Sequence, residues 1–236
     1  MNHALRSWIL GAALMASTHA VSAADGFKSL FNGKDLKGWN GNPKLWSVQD
    51  GTITGQTTAA DPIKGNTFLI YTNANFQDFE LHFKYRMEGG NSGVQYRSKV
   101  LDPATWRVGG YQADFEAGTT YSGILYDEAG GAGGRGIMAE RGQKVVWGAD
   151  GKKQVTGNTG KTSAEIQAAI KKEDWNDYVV TVKGYHFVHQ INGNVTVDVT
   201  DEDAAKRVAT GVLALQIHAG PPMKVQFKDV KIKVLK

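Results

Sequence analysis

The sequence predicts an all-β protein, an antiparallel two-sheet β-sandwich of the jelly-roll kind with one short helix. Apolar and polar residues alternate over many short segments, which is the pattern of a strand that buries one face. Turn-forming residues separate these segments, and a single stretch has helical periodicity. Many short antiparallel strands with few helices favour two packed sheets over an α/β fold.

The predicted strands are spread along the chain, and the alternation is clearest in five of them. They are Phe79–Arg86, Tyr178–Lys183, Phe187–Ile191, Val195–Val199 and Val225–Val234. Between the third and the fourth of these, Asn192 and Gly193 predict a tight hairpin, because both residues can adopt positive φ. The sheet that contains these strands is therefore expected to be antiparallel.

One segment, Ser163–Lys172, is predicted to be helical. Ile166 and Ile170 are four residues apart, as on one face of a helix, and Ser163 is a suitable N-cap residue. The glycine-rich stretch Gly130–Gly134 is expected to be a long loop at the edge of the sandwich. It is not a phosphate-binding loop, because no lysine and hydroxyl pair and no strand-to-helix context follow it.

The N-terminus has the layout of a secretory signal peptide, residues 1–23. A basic start that ends at Arg6 precedes the apolar stretch Trp8–Ala16, and small residues follow at Val21–Ala23. Cleavage there leaves residues 24–236 as a single β-sandwich domain. The apolar stretch is too short for a membrane-spanning helix, which needs about 20 residues. We therefore expect an exported protein without a membrane span, located in the periplasm or secreted.

The composition bears on three further classes of protein: disulfide-stabilised proteins, thiol enzymes and nucleic-acid binders. The chain has no cysteine, so a disulfide framework and a catalytic thiol are both excluded. The formal charge is +4, and the Lys and Arg residues are scattered along the chain instead of forming one block. Nucleic acid is therefore not an expected partner.

Three predicted strands carry polar side chains opposite an apolar face. The candidates are Gln95 and Arg97 in Gly93–Arg97, Gln112, Asp114 and Glu116 in Tyr111–Glu116, and Gln216 and His218 in Leu213–His218. Two neighbouring carboxylates repel each other unless their surface is wet, binds a cation or keeps one acid protonated. We expect these side chains to line one concave surface, unless a bulge reverses the faces of a strand.

Several segments together resemble the 3-keto-disaccharide hydrolase family, whose fold is similar to the concanavalin-like lectin and glucanase sandwich. The order and spacing of the segments carry the resemblance. They are Phe27–Trp39, Asn91–Ser98, Gly110–Asp114, Gly123–Asp127, Trp175–Tyr178, Ile191–Gly193 and Leu215–Pro222. The resemblance implies an exported enzyme or binder whose partner is a carbohydrate, in particular a sugar oxidised to a ketone at C3.

A ketone at C3 of a glycoside acidifies the hydrogen at C2. A base can remove that hydrogen and expel the C1 substituent, and later addition of water gives net hydrolysis. One base and one group that stabilises the oxyanion are then sufficient. Glucanases of the neighbouring kind use a strand with Glu, Asp and Glu, whereas this chain has Gln112 in place of the leading acid. A retaining double displacement is therefore disfavoured.

We expect an enzyme with His218 or Asp114 as the base, and with Arg97 or a bound divalent cation as the group that stabilises the enolate. Asp114, Glu116 and His218 are the side chains that would bind Ca²⁺ or a transition metal. The residues expected to bind the sugar are Gln95, Gln112, Glu116, Tyr126 and Gln216.

The alternative function is a non-catalytic carbohydrate-binding module, in which the same polar surface only holds a glycan. Asp114 would then belong to an ordinary exposed strand face, and Glu116 to its rim. His218 would be a structural histidine bonded to a carbonyl. The carboxylate and histidine pair favours the enzyme, because a binding module does not need it.

Tryptophan side chains could also line a sugar groove. Trp106 and Trp147 flank the loops expected at the site. Trp39, Trp46 and Trp175 lie in segments where a buried packing role is expected.

Overall fold

Two β-sheets pack face to face in the computed structural model, which describes residues 26–128 and 134–236. In chain order the elements are β1 (Lys28–Ser29), β2 (Trp39–Asn40), β3 (Trp46–Gln49), β4 (Thr52–Gln56), β5 (Thr67–Tyr71), β6 (Phe79–Glu88), β7 (Asn91–Asp102), β8 (Arg107–Glu116), β9 (Leu125–Glu128), β10 (Gly136–Ala139), β11 (Gln143–Trp147), β12 (Lys153–Asn158), α1 (Ser163–Ala168), β13 (Asn176–Lys183), β14 (His186–Ile191), β15 (Asn194–Asp201), β16 (Val212–Ile217) and β17 (Lys224–Val234). The expected signal peptide and most of the loop Gly130–Gly134 lie outside the described residues.

The two sheets differ in size. The 10-stranded sheet has the order β12-β11-β15-β14-β13-β6-β17-β4-β3, with β1 paired to β17. The 7-stranded sheet has the order β10-β9-β8-β7-β16-β5-β2. Within the described ranges, every strand pair is antiparallel except β11 with β15. The predicted all-β sandwich with one short helix is confirmed.

Strand alternation decides which side chains enter the core. In β6, every second residue from Phe79 to Met87 is buried, and β8 buries Tyr111 and Phe115 on its inner face. Tyr85 and Phe115 stack between the two sheets with ring centroids 3.9 Å apart. Burial of one large apolar side chain contributes about 1.5–3 kcal/mol. Because the core takes one face of the 7-stranded sheet, polar side chains lie on the other face, beside a small apolar cluster of Phe68, Ile70, Val108 and Ala214.

Helix α1 differs from its prediction at both ends. The N-cap is Thr162 and not Ser163, because Thr162 accepts a hydrogen bond from the Glu165 N–H while the Glu165 carboxylate accepts one from the Thr162 N–H. The helix ends at Ala168, before the predicted end, and buries Ile166. No helix in the part of the chain that the structure describes is long and apolar enough to cross a membrane.

The predicted tight hairpin joins β14 and β15. Asn192 and Gly193 have φ values of 49° and 76°, and Ile191 pairs with Asn194 across the turn. Two consecutive positive φ values match the twist of the flanking antiparallel strands.

Candidate functional site

A cavity of about 620 Å³ opens on the face of the 7-stranded sheet that is turned away from the core. Strands β8 and β9 form its polar wall, and the segment after β16 closes one side. The polar side chains that line it are Asn66, Asn91, Gln112, Asp114, Glu116, Tyr121, Tyr126, Glu128 and His218. The volume is within the range of pockets that bind small ligands. Asp114 and His218, predicted to share a surface, line this one cavity.

Strand β8 supplies the centre of the site. Tyr111 and Phe115 enter the core, so Gln112 and Asp114 reach the opposite face, as the alternation predicts. Glu116 lies at the end of the strand, where its carboxylate accepts hydrogen bonds from the next turn, from the N–H groups of residues 120 (2.5 Å) and 121 (2.9 Å). Glu116 therefore fixes a turn as well as lining the cavity.

Asp114 is the most buried of the acids in the cavity wall, with 5% of its surface exposed. Burial raises the pKa of Asp114 well above its ordinary value, because the charged carboxylate loses hydration. Hydrogen bonds from Asn91, Gln112 and the Phe115 N–H oppose this shift without cancelling it, and the charge of Glu116 adds to it. Asp114 therefore keeps its proton at pH values where an exposed aspartate has lost it.

A row of amide side chains orients Gln112 toward Asp114. Gln95 Nε2 donates to Gln112 Oε1 (2.9 Å), and Ser98 Oγ donates to Gln95 Oε1 (2.6 Å). Because Gln112 Oε1 is the acceptor, its Nε2 donates to Asp114 Oδ1 (3.4 Å) and to Gln216 Oε1 (3.3 Å). Gln95 and Gln216 are fully buried and are not among the described residues that line the cavity. Their place is beneath Gln112, and not beside a ligand in the cavity.

Gly93 leaves the space that Gln112 occupies. Gly93 pairs with Asp114 between β7 and β8, and a Cβ atom at Gly93 would lie 2.5 Å from Cγ of Gln112. Any larger residue would therefore displace the amide. Gly93 was not predicted to matter for the site, although a glycine inside a predicted strand is a known sign of close approach.

His218 follows β16 and is exposed beside the cavity. Its Nδ1 lies 2.6 Å from the carbonyl oxygen of Ala219, so Nδ1 carries the hydrogen and Nε2 has a free lone pair. The Ala219 N–H donates to Asn66 Oδ1 (2.9 Å), and Asn66 Nδ2 donates to Glu128 (3.2 Å). Asn66 and Glu128 thus hold the histidine segment against β9, and neither role was predicted from the sequence.

Arg97 lies away from the cavity, which corrects its predicted position. Its φ is 46°, and the pairing of β7 with β8 shifts register just beyond Tyr96. This bulge turns Arg97 toward the 10-stranded sheet. There the guanidinium donates to Asp78 Oδ1 (2.8 Å) and to the carbonyls of Gln77 (2.7 Å) and Gly184 (2.6 Å), with 1% of its surface exposed. The prediction that Arg97 stabilises an enolate in the cavity is therefore wrong.

The cation site expected from Asp114, Glu116 and His218 is not formed as a ligand cluster. Among the residues described here, no three His, Cys, Asp or Glu side chains are grouped so that they could hold one ion. Glu116 is bonded to the backbone of the turn after β8.

The cavity wall is acidic and rich in amides. Asp114, Glu116 and Glu128 line it, and no Lys or Arg is found among its described lining residues. Partial burial, together with the negative charge of Glu128, raises the pKa of Tyr126, so its phenol stays neutral. Such a wall suits an uncharged ligand with many hydroxyl groups and repels an anion.

Comparisons with solved structures show the fold. A protein of Parabacteroides distasonis that is proposed to be a glycosyl hydrolase has 22% identity and a TM-score of 0.58, over 91% of this chain and 96% of the other. The carbohydrate-binding module CBM66 of Bacillus subtilis has 14% identity and a TM-score of 0.52, over 88% and 95%. At these identities the likeness concerns the sandwich alone.

Sequence comparisons identify the family. A 3-keto-disaccharide hydrolase of Bacteroides thetaiotaomicron is 36% identical over 102 residues, which are 39% of this chain. The match covers 34% of that protein, so the chain spans about a third of the relative's length. Residues 26–233 match the domain described as 3-keto-alpha-glucoside-1,2-lyase-like. This protein therefore belongs to the 3-keto-alpha-glucoside-1,2-lyase-like family.

Proposed function

We propose that this protein cleaves uncharged glycosides that carry a ketone at C3, by elimination across C1 and C2 followed by addition of water. One observation carries the proposal. A buried acid that retains its proton, Asp114, and an exposed imidazole with a free nitrogen, His218, line the same cavity. Membership of the family supports the substrate class.

The first step transfers the C2 proton to Nε2 of His218. The electron pair of the C2–H bond forms a double bond between C2 and C3, and negative charge moves to the C3 oxygen. The bond from Nδ1–H to the Ala219 carbonyl keeps Nε2 available and stabilises the imidazolium that forms.

Asp114 takes the role first assigned to Arg97. A neutral carboxylic acid is a hydrogen-bond donor, and a buried donor stabilises an enolate oxygen more than water does. Gln112, oriented by Gln95, holds the carboxyl group of Asp114 in place. The acid donates a hydrogen bond to the enolate and keeps its proton throughout.

The second step breaks the bond between C1 and the leaving oxygen. The enolate electrons re-form the C3 ketone, a double bond forms between C1 and C2, and the leaving oxygen takes the proton from His218. Water then replaces the leaving alcohol: its oxygen adds to C1, and C2 regains a proton through the same histidine. The products are a free 3-keto sugar and the alcohol, so the net reaction is hydrolysis.

The second candidate function is glycan binding without chemistry, for which the polar wall of the same cavity is also suited. Incubation of the protein with a 3-keto-disaccharide in D₂O separates the two. The elimination route predicts release of the second sugar and deuterium at C2 of the product, both detected by NMR. His218→Gln should lower both by about 10²-fold or more.

The matched control is His82→Gln, a histidine on β6 of the other sheet, which should keep wild-type turnover. Cleavage without deuterium at C2 would contradict the elimination route. Binding of the disaccharide with neither exchange nor cleavage would leave glycan binding as the function.

A further inference from the structure

A second cavity adjoins the first at His218. It has a volume of about 900 Å³ and shares Asn66, Glu128, His218 and Ala219 with the first. These shared residues place the two cavities side by side, with the exposed imidazole of His218 at their common edge. The space therefore exceeds what the reacting sugar ring alone would fill.

The second cavity differs from the first in chemistry. Its lining includes Trp106 together with the apolar side chains of Leu45 and Ile63, and two exposed cations, Lys64 and Arg107, lie at its rim. An aromatic surface with a few polar groups at its edge is the usual composition of a site for a ring-shaped ligand.

Trp106 is held firmly in an uncommon backbone conformation. Its φ is 53°, in the left-handed region that bulky side chains rarely adopt. The Trp106 carbonyl accepts a hydrogen bond from the Phe68 N–H (3.1 Å), and the indole Nε1 donates to Asn40 Oδ1 (3.0 Å). The ring packs against an apolar cluster that includes Phe68 and Val108, yet it remains partly exposed. Strain that the surroundings maintain in this way is concentrated at functional sites.

The other tryptophans in the described residues do not line this second cavity. Trp39, Trp46 and Trp147 are buried, with 9%, 3% and 9% of their surfaces exposed. Trp175 lies on the 10-stranded sheet, where Lys228 Nζ covers its ring at 4.0 Å from the centroid.

We propose that Trp106 is the stacking platform of a second subsite, which binds the ring attached through oxygen to C1 of the 3-keto sugar. The inference rests on the proposed function, because it places the 3-keto ring in the first cavity. The bond to be cleaved then lies where the two cavities meet, beside His218. The site accordingly favours disaccharides and aryl glycosides over simple alkyl glycosides.

Two substrates with the same reacting ring test this subsite: 3-keto-trehalose, and methyl 3-keto-α-glucopyranoside, which has no second ring. Trp106→Asn removes the indole, and asparagine tolerates positive φ better than most residues. We expect this variant to lower kcat/KM for the disaccharide about tenfold or more and to leave that for the methyl glycoside little changed. Trp106→Phe should recover part of the loss.

The control is Trp175→Ala, which removes a tryptophan from the other sheet and should affect neither substrate. Melting temperatures of all variants show whether each protein is folded. An equal loss on both substrates, or no loss on either, would overturn the subsite.

If the wild type cleaves neither compound, the proposed function fails, and calorimetric binding of the same two compounds tests the subsite separately. Tighter binding of the disaccharide that Trp106→Asn abolishes supports the platform. Equal binding of the two compounds overturns it.

Discussion

Gln95 and Arg97 are two positions apart in β7, yet their side chains lie on different sides of the 7-stranded sheet. Gln95 donates to Gln112 beside the cavity, whereas Arg97 donates to Asp78 and to the carbonyl of Gly184, which lies between β13 and β14. The bulge at Arg97 separates the strand into a part that supports the site and a part that joins the two sheets.

Replacing Arg97 by Gln should therefore damage stability and not catalysis. The substitution leaves Asp78 and several carbonyls without their donor, and loss of one member of a buried ion pair costs about 3–5 kcal/mol. Urea unfolding should show this loss, while turnover per folded molecule stays close to wild type. The control is Lys99→Gln on the same strand, whose side chain is exposed and whose effect should stay within about 0.5 kcal/mol. Lost turnover at unchanged stability would show instead that Arg97 acts in catalysis.

Asp114→Asn should lower activity while leaving the fold as stable or more stable at neutral pH. Because the pKa of Asp114 is raised, the folded state binds the proton more tightly than the unfolded state. Stability therefore falls as the pH rises from the ordinary aspartate range through the raised value. Asparagine has no charge to bury, so its advantage should grow with pH and disappear in acid.

Melting temperatures of wild type and Asp114→Asn, measured as a function of pH, check whether the stability advantage of the variant grows as the pH rises. Turnover of the variant should fall about tenfold or more, because an amide N–H donates a weaker hydrogen bond to the enolate oxygen than the O–H of a carboxylic acid does. Wild-type turnover should itself decline as the pH rises through the pKa of Asp114. A variant that is less stable than wild type at alkaline pH would indicate a carboxylate that is favourably charged in the folded protein.

Gly93→Ala should displace Gln112 and so disturb Asp114. The new Cβ would lie 2.5 Å from Cγ of Gln112, so the amide must move. We expect kcat to fall about tenfold or more, since small misplacements of a catalytic group have large effects. The cost in stability should be about 1–3 kcal/mol. The control is Gly157→Ala in β12, where an added Cβ meets nothing within 4 Å.

A double-mutant cycle makes this prediction sharper. Once Gln112 has been replaced by Ala, Gly93→Ala removes no further contact, so its effect on kcat should largely vanish. Equal effects of Gly93→Ala in both backgrounds would show that the glycine acts through something other than the amide.

The parts of the site that sequence alone could predict are those set by alternation within one strand. Gln112 and Asp114 follow from β8, because Tyr111 and Phe115 must enter the core. Arg97 could not be placed in this way, because its bulge depends on partners contributed by the turn between β13 and β14 and by the segment before β6. Asn66 was missed for the same reason, since its bond to Ala219 joins residues 153 positions apart in the chain.

The N-cap of helix α1 was predicted wrongly for a different reason, since the signal for the correct residue was present in the local sequence. Thr162 and Ser163 are both suitable caps, but only Thr162 has a glutamate three positions later, Glu165, to complete a capping box. The local pattern therefore specified the start of the helix, and it had to be read from both members of the box.

Because His189 is buried, we predict that the free energy of unfolding decreases in mild acid. This histidine is fully buried, with Nε2 2.9 Å from the hydroxyl of Tyr96 and Nδ1 3.2 Å from that of Tyr178. Burial lowers the pKa of His189 from 6.5 to about 3. Between these two pH values the unfolded state binds a proton that the folded state does not bind. The stability that this neutral histidine contributes is complete above pH 6.5 and is lost as the pH falls toward 3, by about 1.4 kcal/mol per pH unit.

Urea unfolding of His189→Gln at about pH 7, 6 and 5 tests this titration, since histidine begins to take up protons in this range. The variant should be less stable than wild type at pH 7, because Tyr96 or Tyr178 loses a partner, but its stability should fall less steeply toward pH 5. His218→Gln is the matched control: it removes an exposed histidine and should keep the wild-type slope. Parallel slopes for wild type and His189→Gln would mean that His189 takes up its proton as readily in the folded state as in the unfolded state, which would contradict a lowered pKa in the folded protein.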